Sequence, residues 1–328
     1  MEEEDRNQTP RHPRNMQGLL HFCTEITARE DTTQPTNIQL LDPERRRFLE
    51  EALSSLTVNV AKKMAEGIKI LSSEAVTMAG EDVAEQEEAI AVIEDYVDDL
   101  NHANDLYKMG GFPVLVGCLD SPHPSLRAGA AGLMGDVCQN NPLCQENILT
   151  LNVLPQLLSI IDGDEDTTTR VKAMYAVSCL IRDYPEGEKA FMEANGFSFL
   201  MRAMQSGVEK LVVKATFLFS RLIQDNDSYK AELLSMGYVE QLFTLLSGDE
   251  IGDISREHCT AALLGLASSY PPALKECMRP ELHLKHLLTT RLEEIISKQE
   301  LQEEEGYITE LLRLMEIPEA EGDENNFR

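Results

Sequence analysis

The stretch GGFPVLVGCL, residues 110–119, returns three times with small changes, as NVLPQLLSII at 152–161, NGFSFLMRAM at 195–204 and MGYVEQLFTLL at 236–246. The third residue of each, Phe112, Leu154, Phe197 and Tyr238, recurs at intervals of 42, 43 and 41 residues. A second register agrees with the first. LRAGAAGLMGDV, RVKAMYAVSCL, VVKATFLFSRL and EHCTAALLGL end at Val137, Leu180, Leu222 and Leu266, 43, 42 and 44 residues apart. Self-similarity at such a period is the signature of stacked repeats. Each unit reads as a short helix, a turn at Gly or Asn, a second helix and a longer third helix. The loops DSPHPS, DGDEDT and SGDEIGD fall at equivalent places and carry helix stops and starts. A unit this small cannot bury its apolar face alone, so neighbours must stack and share one core.

The period and the G-x-hydrophobic-Pro-x-Leu pattern resemble armadillo or HEAT repeats, and GGFPVLVGCL and the R/K-x-x-A-x-x-x-x-x-L of the third helix favour armadillo. The fold class expected is all-α, a right-handed α-solenoid of armadillo-like repeats with helical caps. Leu49, Leu53, Leu56, Val60 and Met64 form one stripe, and Ile90, Ile93, Val97 and Leu100 a second. These give a capping helix within 42–81 and an incomplete first repeat. Residues 82–279 then hold one partial and four full repeats, 280–317 two capping helices, and 318–328 an acidic solvated tail. Residues 1–41 are too polar and proline-rich to order themselves.

Composition narrows the function. The 328 residues carry 29 Lys and Arg against 57 Asp and Glu, a formal charge of −28, which repels a phosphate backbone and argues against nucleic acid. No apolar run approaches the length of a membrane span, and the opening MEEEDRNQTPRHPRN lacks the apolar stretch of a secretory signal. The expectation is a cytoplasmic, monomeric protein. Seven cysteines without a CxxC pair, most of them inside apolar helical patterns, read as buried reduced thiols.

By resemblance to armadillo units the third helices line the groove. Arg170, Lys172, Arg182, Lys210, Lys214 and Arg221 all fall on or beside the two middle third helices of a chain that is otherwise acidic. Cations three, four or seven apart share a helix face, and as a group these make a surface that would steer an acidic protein inward. Tyr175 and Phe217 supply an apolar anchor between them. Armadillo carriers of nuclear cargo have a Trp-x-x-x-Asn ladder on these helices. The matching positions here are Gly132 and Asp136, Tyr175 and Cys179, Phe217 and Arg221, and Ala261 and Gly265, so the ladder is absent and an extended cationic peptide is a poor ligand.

RVKAMYAVSCLIR, GFSFLMRAMQSGVEKLVVKATFLF, LSMGYVEQL and CMRPELHLKHLLTTR resemble, in order, the family of heat-shock protein 70-binding nucleotide exchange factors, over roughly residues 14–316. The resemblance implies a co-chaperone that embraces the ATPase domain of heat-shock protein 70 with its concave face and releases ADP, without an enzymatic reaction of its own. On that face the residues expected to meet the partner, from their positions on and beside the third helices, are Asp136, Arg170, Lys172, Tyr175, Arg182, Lys210, Lys214, Phe217 and Arg221. RNMQGLLHFCTEITA, residues 14–28, also resembles the family. There Arg14 precedes the apolar Leu19, Leu20 and Phe22, as in a client peptide of the chaperone, and the segment is expected to assist substrate release. The alternative is an armadillo scaffold that regulates a chaperone-associated ubiquitin ligase or a signalling complex.

Other chemistries fail on spacing. DGDEDT opens like a calcium loop, but Thr167 stands at the glycine position and Ala173 at the terminal glutamate. His283 and His286 lack a third patterned ligand. GAAGLMGD has neither the preceding strand nor the following Lys-Ser/Thr of a phosphate loop. No cofactor and no metal are expected.

Overall fold

The computed structural model describes residues 59–316 apart from 225–226, 249–250 and 269. The chain divides into Met1–Lys62 and Lys63–Arg328, and of the first unit only residues 59–62 are described. The expected release segment with Arg14, Leu19, Leu20 and Phe22, the stripe Leu49, Leu53 and Leu56, and the tail 318–328 lie outside the described residues.

Among the described residues every regular element is helical. After α1 (Val60–Leu71) and α2 (Ala84–Val97) come triplets of a short, a second and a long helix. The first is α3 (Leu100–Lys108), α4 (Gly111–Cys118) and α5 (Pro124–Cys138), and the next is α6 (Pro142–Leu149), α7 (Leu154–Gly163) and α8 (Thr167–Ile181). Then follow α9 (Pro185–Glu193), α10 (Gly196–Met204) and α11 (Glu209–Gln224), and after them α12 (Lys230–Ser235), α13 (Tyr238–Ser247) and α14 (Asp253–Ser268). The last triplet is α15 (Pro271–Cys277), α16 (Leu284–Ile295) and α17 (Gln302–Glu316). The two stretches expected as helical caps therefore repeat, together with α15, the order of the units before them.

The turn between short and second helix is made the same way each time, by one residue in the left-handed region. Gly110, Asn152, Asn195, Gly237 and His283 have φ of 79, 54, 55, 82 and 49°. Glycine adopts this conformation without strain, and asparagine tolerates it better than other side chains do. The residues that set the repeat register are all core: Phe112, Leu154, Phe197, Tyr238, Val137, Leu180, Leu222 and Leu266 are buried. Around Phe197 the rings of Phe191, Phe219, Tyr229 and Tyr238 gather at centroid distances of 5.8, 6.0, 5.7 and 6.2 Å, and the Tyr238 hydroxyl donates to the Phe197 carbonyl. The phenol thus buries its ring and satisfies its polar end in one place.

The long helices stack in sequence, α2 on α5, α5 on α8, α8 on α11, α11 on α14 and α14 on α17, each touching its neighbours as a solenoid requires. An arginine near the start of three of them ties the helix to the carbonyls that end the preceding helix. Arg127 donates to the Ser121 carbonyl at 2.8 Å, Arg170 to Ile161 at 2.8 Å, and Arg256 to Leu246 and Gly248 at 2.7 and 2.6 Å. A cation there also meets the negative end of the helix dipole.

Candidate functional site: the face of the stacked third helices

α8 and α11 carry most of the side chains expected at the groove. The seam between α5 and α8 is close because α5 presents glycines to it. The Lys172 ammonium comes within 3.1 Å of where a Cβ on Gly132 would lie, and the Tyr175 ring occupies the space a Cβ on Gly135 would need. GAAGLMGD, unreadable as a phosphate loop, is thus a packing surface. The Tyr175 hydroxyl donates to Asp136 Oδ1 at 2.8 Å, and Gln139 Oε1 lies 3.2 Å from the same oxygen. Burial pushes the phenol well above its ordinary range, and the neighbouring Cys179 and Asp136 add to this, so it stays a neutral donor.

The seam between α8 and α11 is different. A depression of about 550 Å³ opens there, lined by Lys172, Tyr175, Lys210 and Lys214 together with Asp136, Glu209, Thr167 and Thr168. The Lys214 ammonium lies over the Tyr175 ring, 5.0 Å from its centroid, and the Arg182 guanidinium over Phe217 at 5.7 Å. Such cation–π contacts hold the charges in place without neutralising them. On its far side Phe217 meets the His258 ring of α14 at 5.3 Å. Burial lowers the His258 pKa below 6.5, opposed by Glu303, and leaves a neutral imidazole on this face at neutral pH.

Lys210, Lys214, Phe217 and Arg221 follow one another at helical spacing along α11, and among the described residues no carboxylate stands at ion-pair distance from any of the three cations. Arg221 reaches only Gln224 Oε1, at 3.2 Å. Lys172 is 4.0 Å from Glu94, and Arg182 is 3.7 Å from its neighbour Asp183. Arg170 is the exception within the expected set. Its guanidinium turns back to the Ile161 carbonyl as one of the three helix-tying arginines. Gln139 and His258 are the additions that sequence reasoning missed, since neither interrupts a pattern.

Six cysteines, Cys118, Cys138, Cys144, Cys179, Cys259 and Cys277, are buried and free, as their helical patterns led one to expect. Burial pushes the Cys118 thiol up to about 11 and Cys144, Cys259 and Cys277 up to about 12. Among the described residues no three His, Cys, Asp or Glu side chains converge as a metal site, and no helix is long and apolar enough to cross a membrane.

A helical stack with this turn chemistry is of the armadillo class. A designed armadillo repeat protein superposes on 77% of this chain and 99% of its own length, with a TM-score of 0.64 and 17% identity. The sequence narrows the class further. The model of the SIL1/FES1/HPBP1 C-terminal domain matches residues 102–242, and that of the nucleotide exchange factor Fes1 matches residues 16–106. Hsp70-binding protein 1 of Mus musculus is 36% identical over 313 residues, 93% of this chain and 86% of its own. The Hsp70 nucleotide exchange factor FES1 of Coccidioides immitis is 30% identical over 175 residues, 52% of this chain and 79% of its own. The chain belongs to the SIL1/FES1/HPBP1 family of nucleotide exchange factors.

Proposed function

We infer that this chain is a co-chaperone of heat-shock protein 70 that promotes nucleotide exchange, and that it does so by docking the chaperone's ATPase domain on the face formed by α5, α8 and α11. The observation that carries this reading is the α11 stripe. In a protein with twice as many acids as bases, Lys210, Lys214 and Arg221 have no carboxylate at ion-pair distance among the described residues, and they stand beside the anchors Tyr175 and Phe217. Unpaired cations next to fixed aromatic rings suit an acidic protein surface, which would supply the missing charge on contact.

The chemistry asked of the protein is mechanical. Binding one lobe of the ATPase domain more tightly when the nucleotide cleft is open shifts the chaperone toward the open state, and ADP then leaves. By linkage, ADP must weaken binding of this chain by the same factor. Residues 14–28 would assist release of the client, held at an effective concentration on the order of millimolar by the tether. The setting proposed is the cytoplasm, with one copy of this chain per chaperone.

The test is stopped-flow release of a fluorescent ADP analogue from heat-shock protein 70, with and without the chain. Faster release with the wild type, lost when Lys210 and Lys214 are changed together to Glu, is the expected result. Unaltered release would sink the reading. If the chaperone is captured from cytosol but a ubiquitin ligase accompanies it in constant ratio, the scaffold alternative gains.

A further inference from the structure

Arg182, one of the cations of the proposed docking face, is held by a residue that is itself buried. α8 stops at Ile181, Arg182 follows in an extended conformation at φ −67° and ψ 135°, and Asp183 then turns left-handed at φ 56°. The last carbonyls of a helix have no partner inside it and must find one elsewhere. Here the carbonyls of Cys179 and of Arg182 are met by one group, the Gln145 side-chain amide of α6, whose Nε2 donates to them at 2.8 and 3.1 Å. An amide nitrogen has two hydrogens, and both are used. Gln145 is 3% exposed, so its bonds grip the closing turn of α8 from the interior.

The grip is particular to this unit. The positions 43 residues to either side of Gln145 are His102 on α3 and Glu188 on α9. The His102 ring lies at the Tyr96 carbonyl instead, and a carboxylate has no proton to give a carbonyl. The residue 43 before Arg182 is Gln139, which ends α5 with the same backbone, φ −63° and ψ 113°, ahead of a left-handed Asn140. Its side chain meets Tyr175 of the next long helix, as the Arg182 guanidinium meets Phe217 of the next. The residue that ends one long helix therefore leans on the aromatic residue of its neighbour. At the α5–α8 seam close packing holds that arrangement, whereas α8 rests more lightly on α11 and Arg182 has less around it. Its only carboxylate among the described residues is that of Asp183, at 3.7 Å.

We propose that Gln145 is a positioning residue for docking: by fixing the backbone at Cys179 and Arg182 it holds the Arg182 guanidinium over Phe217, ready for an acidic group of the chaperone. It acts through Arg182 and does not itself meet the partner. An arginine side chain that is free in solution loses much rotamer freedom when a partner fixes it, and one already held in place loses less. The grip of Gln145 supplies that order before contact. This inference rests on the docking face proposed above.

A double-mutant cycle tests it, with the affinity of the full chain for nucleotide-free heat-shock protein 70 measured by calorimetry for Gln145→Met, Arg182→Ala and the pair. Methionine keeps the length of glutamine and gives up the donor. Arg182→Ala should weaken binding about tenfold, Gln145→Met about fivefold, and the pair no more than Arg182→Ala alone, while urea unfolding shows the same loss from Gln145→Met in either background. Wild-type affinity in either single variant overturns the proposal, and so does an equal weakening by Gln145→Met with and without Arg182, since the residue would then act through the scaffold at large. A second readout needs no chaperone. The order parameter of the Arg182 Nε–Hε bond should lie above about 0.6 in the wild type and fall below it in Gln145→Met. A mobile Arg182 in the wild type overturns the proposal without any variant. If the wild type does not bind the chaperone, the exchange-factor reading fails, and this measurement still decides whether Gln145 orders Arg182.

Discussion

Two neighbouring seams of the same stack are built on opposite plans. Between α5 and α8 the glycines at 132 and 135 let Lys172 and Tyr175 lie directly on the helix, and the Tyr175 hydroxyl is satisfied by Asp136. Between α8 and α11 charged and aromatic side chains face the gap instead, and a depression of about 550 Å³ remains. α8 is accordingly packed far more closely on α5 than on α11. Small residues turn a seam into core, whereas long cationic ones hold it open as a surface. The close seam is built as core, the open one is the surface proposed for recognition, and on that reading each can be altered without the other.

The largest effect is expected at the open seam. Changing Lys210 and Lys214 to Glu should cut stimulation of ADP release about a hundredfold, because like charges would then face an acidic partner. Thermal unfolding of that variant should move little, since among the described residues neither lysine has an ion-pair partner to lose, and a matching loss of stability would show the two seams to be one structural element. At the close seam the signs reverse. Gly135→Val should destabilise the fold by about 2 kcal/mol, measured by urea unfolding, because the new side chain overlaps the Tyr175 ring. Removing only the hydroxyl, in Tyr175→Phe, should cost about 1 kcal/mol by the same assay, as Asp136 loses its donor.

The smallest effect concerns pH and sits at the edge of the open seam. His258 has its pKa lowered by burial, opposed by Glu303, so the unfolded chain binds a proton more readily than the folded one. Its contribution to stability is complete above about pH 6.5 and is lost as pH falls through the lower folded value. Unfolding between about pH 7.5 and 5 should therefore show a decline that is smaller in His258→Gln, by roughly a few tenths of a kcal/mol. An equal decline in both proteins would place the titrating group elsewhere.

The repeat register was legible in the sequence because burial is periodic. Phe112, Leu154, Phe197 and Tyr238 recur where each second helix enters the core, and all four are buried. Gly110 and Gly237 announce their turns by residue type, and so do the asparagines at 152 and 195. The last triplet was harder to read because His283 makes its turn, and histidine gives no signal for a left-handed backbone. The direction of long side chains was not legible either. Arg170 and Lys172 are two residues apart, yet the first turns to the Ile161 carbonyl and the second lies over Gly132. A 43-residue recurrence of Arg127 and Arg170, resumed at Arg256, was the available sign that the first of them belongs to the scaffold. The value of glycines at 132 and 135 could be seen only with Tyr175 and Lys172 opposite them.

Units joined only to their neighbours behave as springs in series, and such a series yields at its softest member. With α8 resting more lightly on α11 than on α5, a load applied across the face would flex this joint first. A partner pressing on Tyr175 and Phe217 would thus meet a jaw rather than a rigid wall, one that can widen or close by a small rotation while the helices on either side keep their shape.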